Sequence, residues 1–352
     1  MGSFKRLQHI QKIVAYSNQD LSISKSSTLV MNCMEVSNLR NLEFPNMNFE
    51  SKFKHQISIA QQMGLLTPLE INKSYDIVIV SVSKSKDESL AQIAIGYDRT
   101  KHGGILIVEG SKTNGIDAIV QRLSKLHILE HLVAKSHGKI AVLKVLSKKI
   151  TPLHEWLNFA IPCKNEDGFY SMPGLFSHKR IDPASKFLST LFDNKLKGDI
   201  IDLGAGWGFL SSKLLSESLN LKSITLVDHD QKAIDCAQKN IKSPKAIFKW
   251  MDIQEITQLG SKFDSVICNP PFHSAEGRNV DLGKNFIKAA HSVLNSTGSL
   301  LLVSNIQLPY ENLINTLFKK YSIVAKNKYF KIILAKRPKK YYGMLPKKVL
   351  IK

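Results

Sequence analysis

The tetrapeptide Asn269-Pro270-Pro271-Phe272 follows directly on the apolar run Phe263 to Cys268. Each proline fixes its φ and carries no N–H, so the stretch is rich in carbonyl acceptors and poor in donors. Such an arrangement suits a planar exocyclic amine. The Asn269 side-chain oxygen and the Pro270 carbonyl can accept its two hydrogens, which turns the nitrogen lone pair toward an electrophilic methyl group. No strong base is required, because the amine becomes acidic only as the methyl transfers. Phe272 offers a face on which a base can stack after leaving its helix, a move that costs a few kcal/mol and less for an unpaired base. An Asn-Pro pair also marks plain turns, so this reading depends on what precedes the motif. His273 and Arg278, in the loop beyond, can contact phosphates or gate the pocket, or can be ordinary exposed loop charges.

What precedes it is Asp202-Leu203-Gly204-Ala205-Gly206-Trp207-Gly208, placed after a strand-like run and before a helix-like one. That is the context a nucleotide-type loop needs. Glycines there let the backbone approach a ligand where a Cβ would clash. A dinucleotide fingerprint asks for a small residue at 209, where this chain has Phe209. The G-x-G-x-G spacing behind a strand-end Asp suits a ligand without a pyrophosphate. The next strand ends in Asp228, about 20 residues beyond the loop, where a carboxylate can accept from both ribose hydroxyls. Asp252 closes the strand after that and can accept from an adenine amine, although a strand-end Asp is often only a helix cap. The three acidic residues fall after three successive strands, on the carboxyl edge of a sheet where such folds bind ligands. The expected cofactor set is Asp202, Gly204, Gly206, Gly208, Asp228, Asp252 and Asn269. The expected catalytic set is Asn269, Pro270, Pro271 and Phe272.

The elements that must position these residues alternate between strand and helix. Strands are expected over Asp199 to Leu203, Ser223 to Val227, Ala246 to Trp250, Phe263 to Cys268 and Ser299 to Ser304. Helices are expected over Phe209 to Leu219, Gln231 to Asn240, Asp281 to Leu294 and Tyr310 to Phe318. This alternation predicts an α/β domain with a parallel, Rossmann-like sheet. Two further strands, Tyr321 to Ala325 and Lys331 to Ala335, are joined too closely for a parallel crossover and predict an antiparallel hairpin. A parallel sheet with a terminal hairpin is the plan of class I methyltransferases. The first half shows the same rhythm more faintly, with strands Tyr75 to Val82 and Gly104 to Val108 and a helix Ile116 to Leu126. Its Gly110-to-Gly115 turn lacks the D-x-G-x-G-x-G pattern. A duplication with a degenerate first copy accounts for this, as do chance α/β repeats. The Pro152-to-Asp182 stretch, with Pro162, Gly168, Pro173 and Gly174, reads as the inter-domain region. Its apolar Phe-Tyr-Ser-Met-Pro-Gly-Leu-Phe core is expected to lie against one domain.

At 352 residues the chain has material for two cores. A hydrophobic fraction of 43% and a charged fraction of 22% are those of a globular protein. No apolar run reaches the roughly 18 residues needed to cross a bilayer, and no signal-peptide pattern opens the sequence, so a cytoplasmic protein is expected. Four scattered cysteines form no C-x-x-C pair, so no metal site is expected and each cysteine reads as a small buried residue. The net charge of +20 favours a polyanionic partner through counterion release. From Lys326 to Lys352 there are ten Lys or Arg and no acidic residue. Tyr329, Phe330, Tyr341 and Tyr342, interleaved with them, suit base stacking or packing.

On these residues the chain resembles the RsmC family of bacterial small-subunit rRNA guanine-N2 methyltransferases. The matching pieces are Met172 to Ser177, Arg180 to Ser185, the glycine loop, Asn269 to His273 and Ser304 to Tyr310. The resemblance implies a class I methyltransferase domain over 170–352, preceded by a degenerate methyltransferase-like domain over 1–160 that assists folding and RNA recognition. It implies S-adenosyl-L-methionine as cofactor, held at Gly204, Gly206, Asp228 and Asp252, and N2 methylation of a guanosine in 16S rRNA of the small ribosomal subunit. A monomer without membrane association is expected. The rivals are guanine-N2 methylation of 23S rRNA, N5 methylation of a protein glutamine, and a non-catalytic ribosome assembly factor. The glutamine-modifying enzymes usually carry Tyr at the position of Phe272, and the basic C-terminus favours RNA.

Overall fold

The computed structural model describes residues 2–17, 26–42, 44, 46–65, 73–147, 150–192, 196–218, 220–271, 273–274, 277–278 and 280–340. Phe272, and the tail that holds Tyr341, Tyr342, Lys347 and Lys348, lie outside the described residues. The chain divides into two compact units: Met1–Lys179 with Asp230–Lys232, and Arg180–His229 with Ala233–Lys352.

The first unit holds β1 (Thr28–Met31), β2 (Met47–Glu50), β3 (Tyr75–Ser81), β4 (Thr100–Ser111), β5 (Leu129–Lys135) and β6 (Gly138–Lys144) in the order β2-β1-β3-β4-β6-β5. The first four are parallel, while β6 runs antiparallel to both β4 and β5. Strand β3 is buried almost without interruption, as a parallel strand covered on both faces must be. Its helices are α1 (Gly2–Ser17), α2 (Lys54–Gln62), α3 (Lys86–Asp98), α4 (Ile116–Ser124) and α5 (Thr151–Leu157). Helix α4 forms because Ile116, Ile119, Val120 and Leu123 recur on one helical face, and that face is buried.

Of the stretch expected to separate the domains, Pro152 to Lys179 belongs to this unit and Arg180 to Asp182 to the second. Helix α5 buries Leu153 and Trp156 in the first core, and Met172 and Leu175 are buried as well. Between them runs a two-stranded ribbon, β7 (Cys163–Lys164) with β8 (Tyr170–Ser171). Cys163 is exposed on that ribbon, against the expectation that all four cysteines are buried; Cys33, Cys236 and Cys268 are buried as expected.

The second unit runs through α6 (Pro183–Ser189), β9 (Gly198–Leu203), α7 (Phe209–Glu217), β10 (Leu221–Asp228), α8 (Gln231–Asn240), β11 (Ala246–Trp250) and β12 (Phe263–Cys268). It continues through the short β13 (His273–Ser274) and β14 (Gly277–Arg278), α9 (Val280–Val293), β15 (Leu294–Asn305), α10 (Glu311–Leu317), β16 (Phe318–Lys326) and β17 (Phe330–Pro338). The sheet order is β11-β10-β9-β12-β15-β17-β16, parallel except for the expected hairpin at its end. Alternation along each strand sends its residues to two separate cores. Ile200 and Ile267 join the core beneath α6 and α7. Ile201, Leu203, Val266 and Cys268 join the core beneath α9 and α10.

The two sheets share a plan. Removing the outermost strand β11 leaves β10-β9-β12-β15-β17-β16, which matches β2-β1-β3-β4-β6-β5 strand for strand in order and direction. The loop in the first unit that corresponds to Gly204–Gly208 therefore follows β1, at Asn32–Glu35, and not β4, where the sequence directed attention. It contains no glycine.

Helix α1 is fastened to the first sheet through charge. Arg6 Nε donates to Glu109 Oε2 at 2.6 Å, Arg6 Nη1 to the Ser136 carbonyl at 3.1 Å, and Ser3 Oγ to Glu109 Oε1 at 3.1 Å. Arg6 and Glu109 are both buried. Removing one member of such a pair strands the other charge, at a cost of about 3–5 kcal/mol. Arg6→Met should therefore lower the first unit's stability to urea by that amount, and Arg6→Met with Glu109→Leu by much less. Equal losses in the single and double variants would show that the helix is held by something other than this pair.

Candidate active site

The pairing of β9 with its neighbours lines up three strand ends. Leu203 is opposite Val227 of β10 and Cys268 of β12, so Gly204, Asp228 and Asn269 each stand one residue past the same row. Asp228 is opposite Trp250 of β11, which brings Asp252 to the same edge. The sequence-predicted residues 202, 204, 206, 208, 228, 252, 269, 270 and 271 thus come together at the carboxyl edge of one sheet.

The loop after β9 is held by backbone. Gly204 N–H and Ala205 N–H both donate to the Val227 carbonyl, at 2.9 and 3.0 Å. Gly206 N–H donates to Asp228 Oδ2 at 2.8 Å. Asp228 is thereby a buried carboxylate with one oxygen committed to the loop itself, a role the sequence did not indicate. Gly206 has φ +55, and a Cβ built there meets no atom within 4 Å. The backbone at that point borders open space, as a close ligand approach requires. Gly208, at φ +90, starts α7 in a left-handed conformation.

Asp202 lies on the α6/α7 side of β9 and is fully buried. Ser211 of α7 donates to its Oδ2 at 2.7 Å, while Oδ1 has no hydrogen-bond partner among the described residues. Burial pushes its carboxyl up to about 7, with the Asp228 charge adding to the rise and the Ser211 bond opposing it. An orphaned carboxylate oxygen beside an open glycine is a place for a donor from outside the chain. Asp252 is buried and caps the 3-10 turn Ile253–Leu259, its Oδ1 accepting from Gln254 N–H at 2.8 Å.

Asn269 continues the side of β12 that faces α6, following Ile267. Its Nδ2 donates to Asp182 Oδ2 at 2.9 Å and to Ser185 Oγ at 2.8 Å. Both amide hydrogens are spent, so Oδ1 is left as the acceptor. Pro270 is buried and Pro271 exposed. The residues after the motif turn into the β13–β14 pair, His273 opposite Arg278 and Ser274 opposite Gly277. Cys268, directly before the motif, is buried and its thiol is raised well above its ordinary value, first by desolvation and then by Asp202. It stays a neutral thiol and packs the sheet.

Asp182, Ser185 and Ser211 are the site residues that reading the motifs alone missed. Asp182-Pro183-Ala184-Ser185 carries a helix-start signature, Asp at the cap and Pro at the first position, and the structure uses it so: Asp182 Oδ2 accepts from Ser185 N–H at 2.8 Å. The corresponding strand end of the first unit carries other residues. Val80 of β3 is opposite Met31 of β1 as Cys268 is opposite Leu203. Ser81-Val82-Ser83 therefore stand where Asn269-Pro270-Pro271 stand in the second unit.

Residues 166–334 match the methyltransferase small domain family. The chain is 29% identical over 278 residues to a ribosomal RNA small subunit methyltransferase C of Buchnera aphidicola subsp. Acyrthosiphon pisum, covering 77% of this chain and 80% of that one. It is 26% identical to the protein of the same name from Haemophilus influenzae strain 86-028NP, over 76% and 81%. Among solved structures, the fold is similar to that of a T. thermophilus 16S rRNA N2 G1207 methyltransferase in complex with AdoMet and guanosine, with a TM-score of 0.74 at 20% identity over 94% of this chain and 92% of that one. With the strand order, the glycine loop and the Asn-Pro-Pro edge already in place, these likenesses identify residues 166–334 as a methyltransferase small domain in a chain that is similar, over about three quarters of its length, to proteins named ribosomal RNA small subunit methyltransferase C.

Proposed function

We propose that the chain methylates the exocyclic N2 amine of a guanosine in 16S rRNA of the small ribosomal subunit, with S-adenosylmethionine as methyl donor. The observation that carries this reading is the row of strand ends, which sets an acceptor pair, Asn269 Oδ1 and the Pro270 carbonyl, beside the glycine loop. The relatives named for small-subunit rRNA methylation supply the substrate. An exposed basic hairpin agrees with an RNA partner: Lys319, Lys320, Lys326, Lys328, Lys336 and Arg337 are all exposed on β16, β17 and their turn. Among the described residues no helix is long and apolar enough to cross a membrane.

The site fits the cofactor on two counts, the partnerless Oδ1 of buried Asp202 and the open space over Gly206. Gly204, Gly206 and Gly208 would admit it, Asp228 would take its ribose, Asp252 its adenine amine, and Asp202 its ammonium. When bound, it supplies an electrophilic methyl group. Asn269 Oδ1 and the Pro270 carbonyl accept the two hydrogens of the guanine amine, which orients the nitrogen lone pair. Phe272, by its place in the motif, supplies the stacking face. The proton that the nitrogen sheds after transfer needs no buried base in this chain. Residues 1–160, which share the sheet plan without the glycine loop or the Asn-Pro-Pro edge, act as a degenerate methyltransferase-like domain for folding and RNA recognition, and 170–352 as the catalytic domain.

Methyl transfer from labelled S-adenosylmethionine to purified, unmodified small and large subunits and to release factor tests the substrate. Label in 16S rRNA, recovered as N2-methylguanosine, is expected; label in 23S rRNA or in protein would replace the substrate. Asn269→Ala should keep cofactor binding and lower kcat about 100-fold. Asp202 yields a pH test. Its carboxyl is raised in the folded chain from an ordinary 3.8 to about 7, so the folded state holds a proton that the unfolded state has lost. Stability of the ligand-free protein must then fall as pH rises between those values, and Asp202→Asn should flatten that fall. A cation arriving at Oδ1 favours the ionised form, so cofactor binding below about pH 7 should release a proton. Calorimetry in two buffers of different ionisation enthalpy reads this directly. Heats independent of buffer would remove Asp202 from the cofactor's partners.

A further inference from the structure

We infer that Asp182 and Ser185 are positioning residues for the reaction: they hold the Asn269 amide in the one orientation that presents an acceptor to the substrate amine. The inference rests on the proposed transfer to an amine. An asparagine amide is nearly symmetrical in shape, and its two ends have opposite hydrogen-bonding character. Turned one way, Asn269 offers an acceptor to an incoming N–H. Turned the other way, it offers donors to a group that also donates, and the amine is repelled. The choice between the two cannot come from shape.

It comes from what lies behind the amide. Asp182 Oδ2 and Ser185 Oγ stand 2.9 and 2.8 Å from Nδ2, one for each hydrogen. A flipped amide would set its oxygen against a carboxylate oxygen. Bonds to an ionised carboxylate are about twice as strong as neutral ones, so the flipped state is disfavoured. Asp182 is itself fixed: the same Oδ2 accepts Ser185 N–H at 2.8 Å, and Pro183 presets the first turn of α6. Helix α6 is anchored in turn by Ala184 and Leu188, buried in the core that receives Ile267 of β12. The clamp and the strand end it serves therefore share one core, although 87 and 84 residues separate them in sequence. Capping α6 alone would need only Asp182 and the Ser185 N–H. The Ser185 hydroxyl has no part in that cap, yet it takes the second amide hydrogen.

The test uses the full chain labelled with 15N-asparagine. The Asn269 side-chain resonances are identified by their loss in Asn269→Ala. In the wild type the amide hydrogens should exchange slowly with water, and in Asp182→Ala and Ser185→Ala much faster. The same two variants should lose about 10- to 100-fold in kcat for methyl transfer to unmodified small subunits, with the subunit KM and the S-adenosylmethionine Kd unchanged. Asp182→Asn keeps an acceptor oxygen where Oδ2 was and should restore both slow exchange and most of kcat. Ser185→Ala leaves the α6 cap in place, so a loss there is not a folding loss. Fast exchange in the wild type, or an unchanged kcat in variants whose amide has been released, overturns the assignment. A protected amide with no methyl transfer by the wild-type chain to any ribosomal subunit overturns the proposed function, and this role with it.

Discussion

The register of β9 against β10 and β12 is the constraint on which the rest of the second unit depends. Side chains along a strand alternate with a strict period of two, so a slip of one residue would turn every one of them to the other face. Asp202 would then leave Ser211 for the α9 side, and Asn269 would lose Asp182 and Ser185. The observed register places Ile200 and Ile267 in one core and Leu203 and Cys268 in the other. The hydrophobic pattern that makes the sheet stable is therefore what places the chemistry at its edge. Burial of Asp202 follows from the same choice. A carboxylate in that position is costly unless partnered, and the described residues partner one of its oxygens and not the other.

Much of this was legible in the sequence because it is local. Helix α8 and strands β11 and β12 fall on the expected boundaries, since apolar runs broken by polar turns define them directly. Strand β15 begins at Leu294 and β16 at Phe318, earlier than expected, because pairing extends them through residues that carry no strand pattern of their own. The glycine loop and the Asn-Pro-Pro edge were visible for the same local reason. What supports them was not. The bond from Gly206 to Asp228 and the clamp on Asn269 join residues far apart in sequence, and nothing in either stretch names its partner. Asp252 shows the converse: its local signal admits both a cap and a ligand contact, and the cap is present.

The first unit was harder to read because its correspondence to the second lies in the order of strands and not in residues. The loop after β1 keeps its place but contains no glycine, and Cys33 fills it as a buried thiol raised by desolvation to about 12. The glycine-bearing turn Gly110 to Gly115, with a strand before it and a helix after it, lies at the end of β4 and not of β1. Sheet order does not depend on a glycine loop, because it is fixed by a hydrophobic core that tolerates many substitutions.

The hairpin that closes the second sheet has one more consequence. Strand β16 is an outer strand, and among the described residues one side of its backbone has no neighbour within its sheet. Unpaired strand edges invite pairing with another chain, and lysine on the edge is a common defence. Lys319, Lys320 and Lys326 lie on β16, and no acidic residue occurs between Phe318 and Lys340 to neutralise them. Two copies that approach edge to edge meet like charges, whereas a phosphate backbone meets opposite ones. The same lysines thus oppose edge-to-edge pairing of two copies and suit a polyanion, and added salt weakens both effects together.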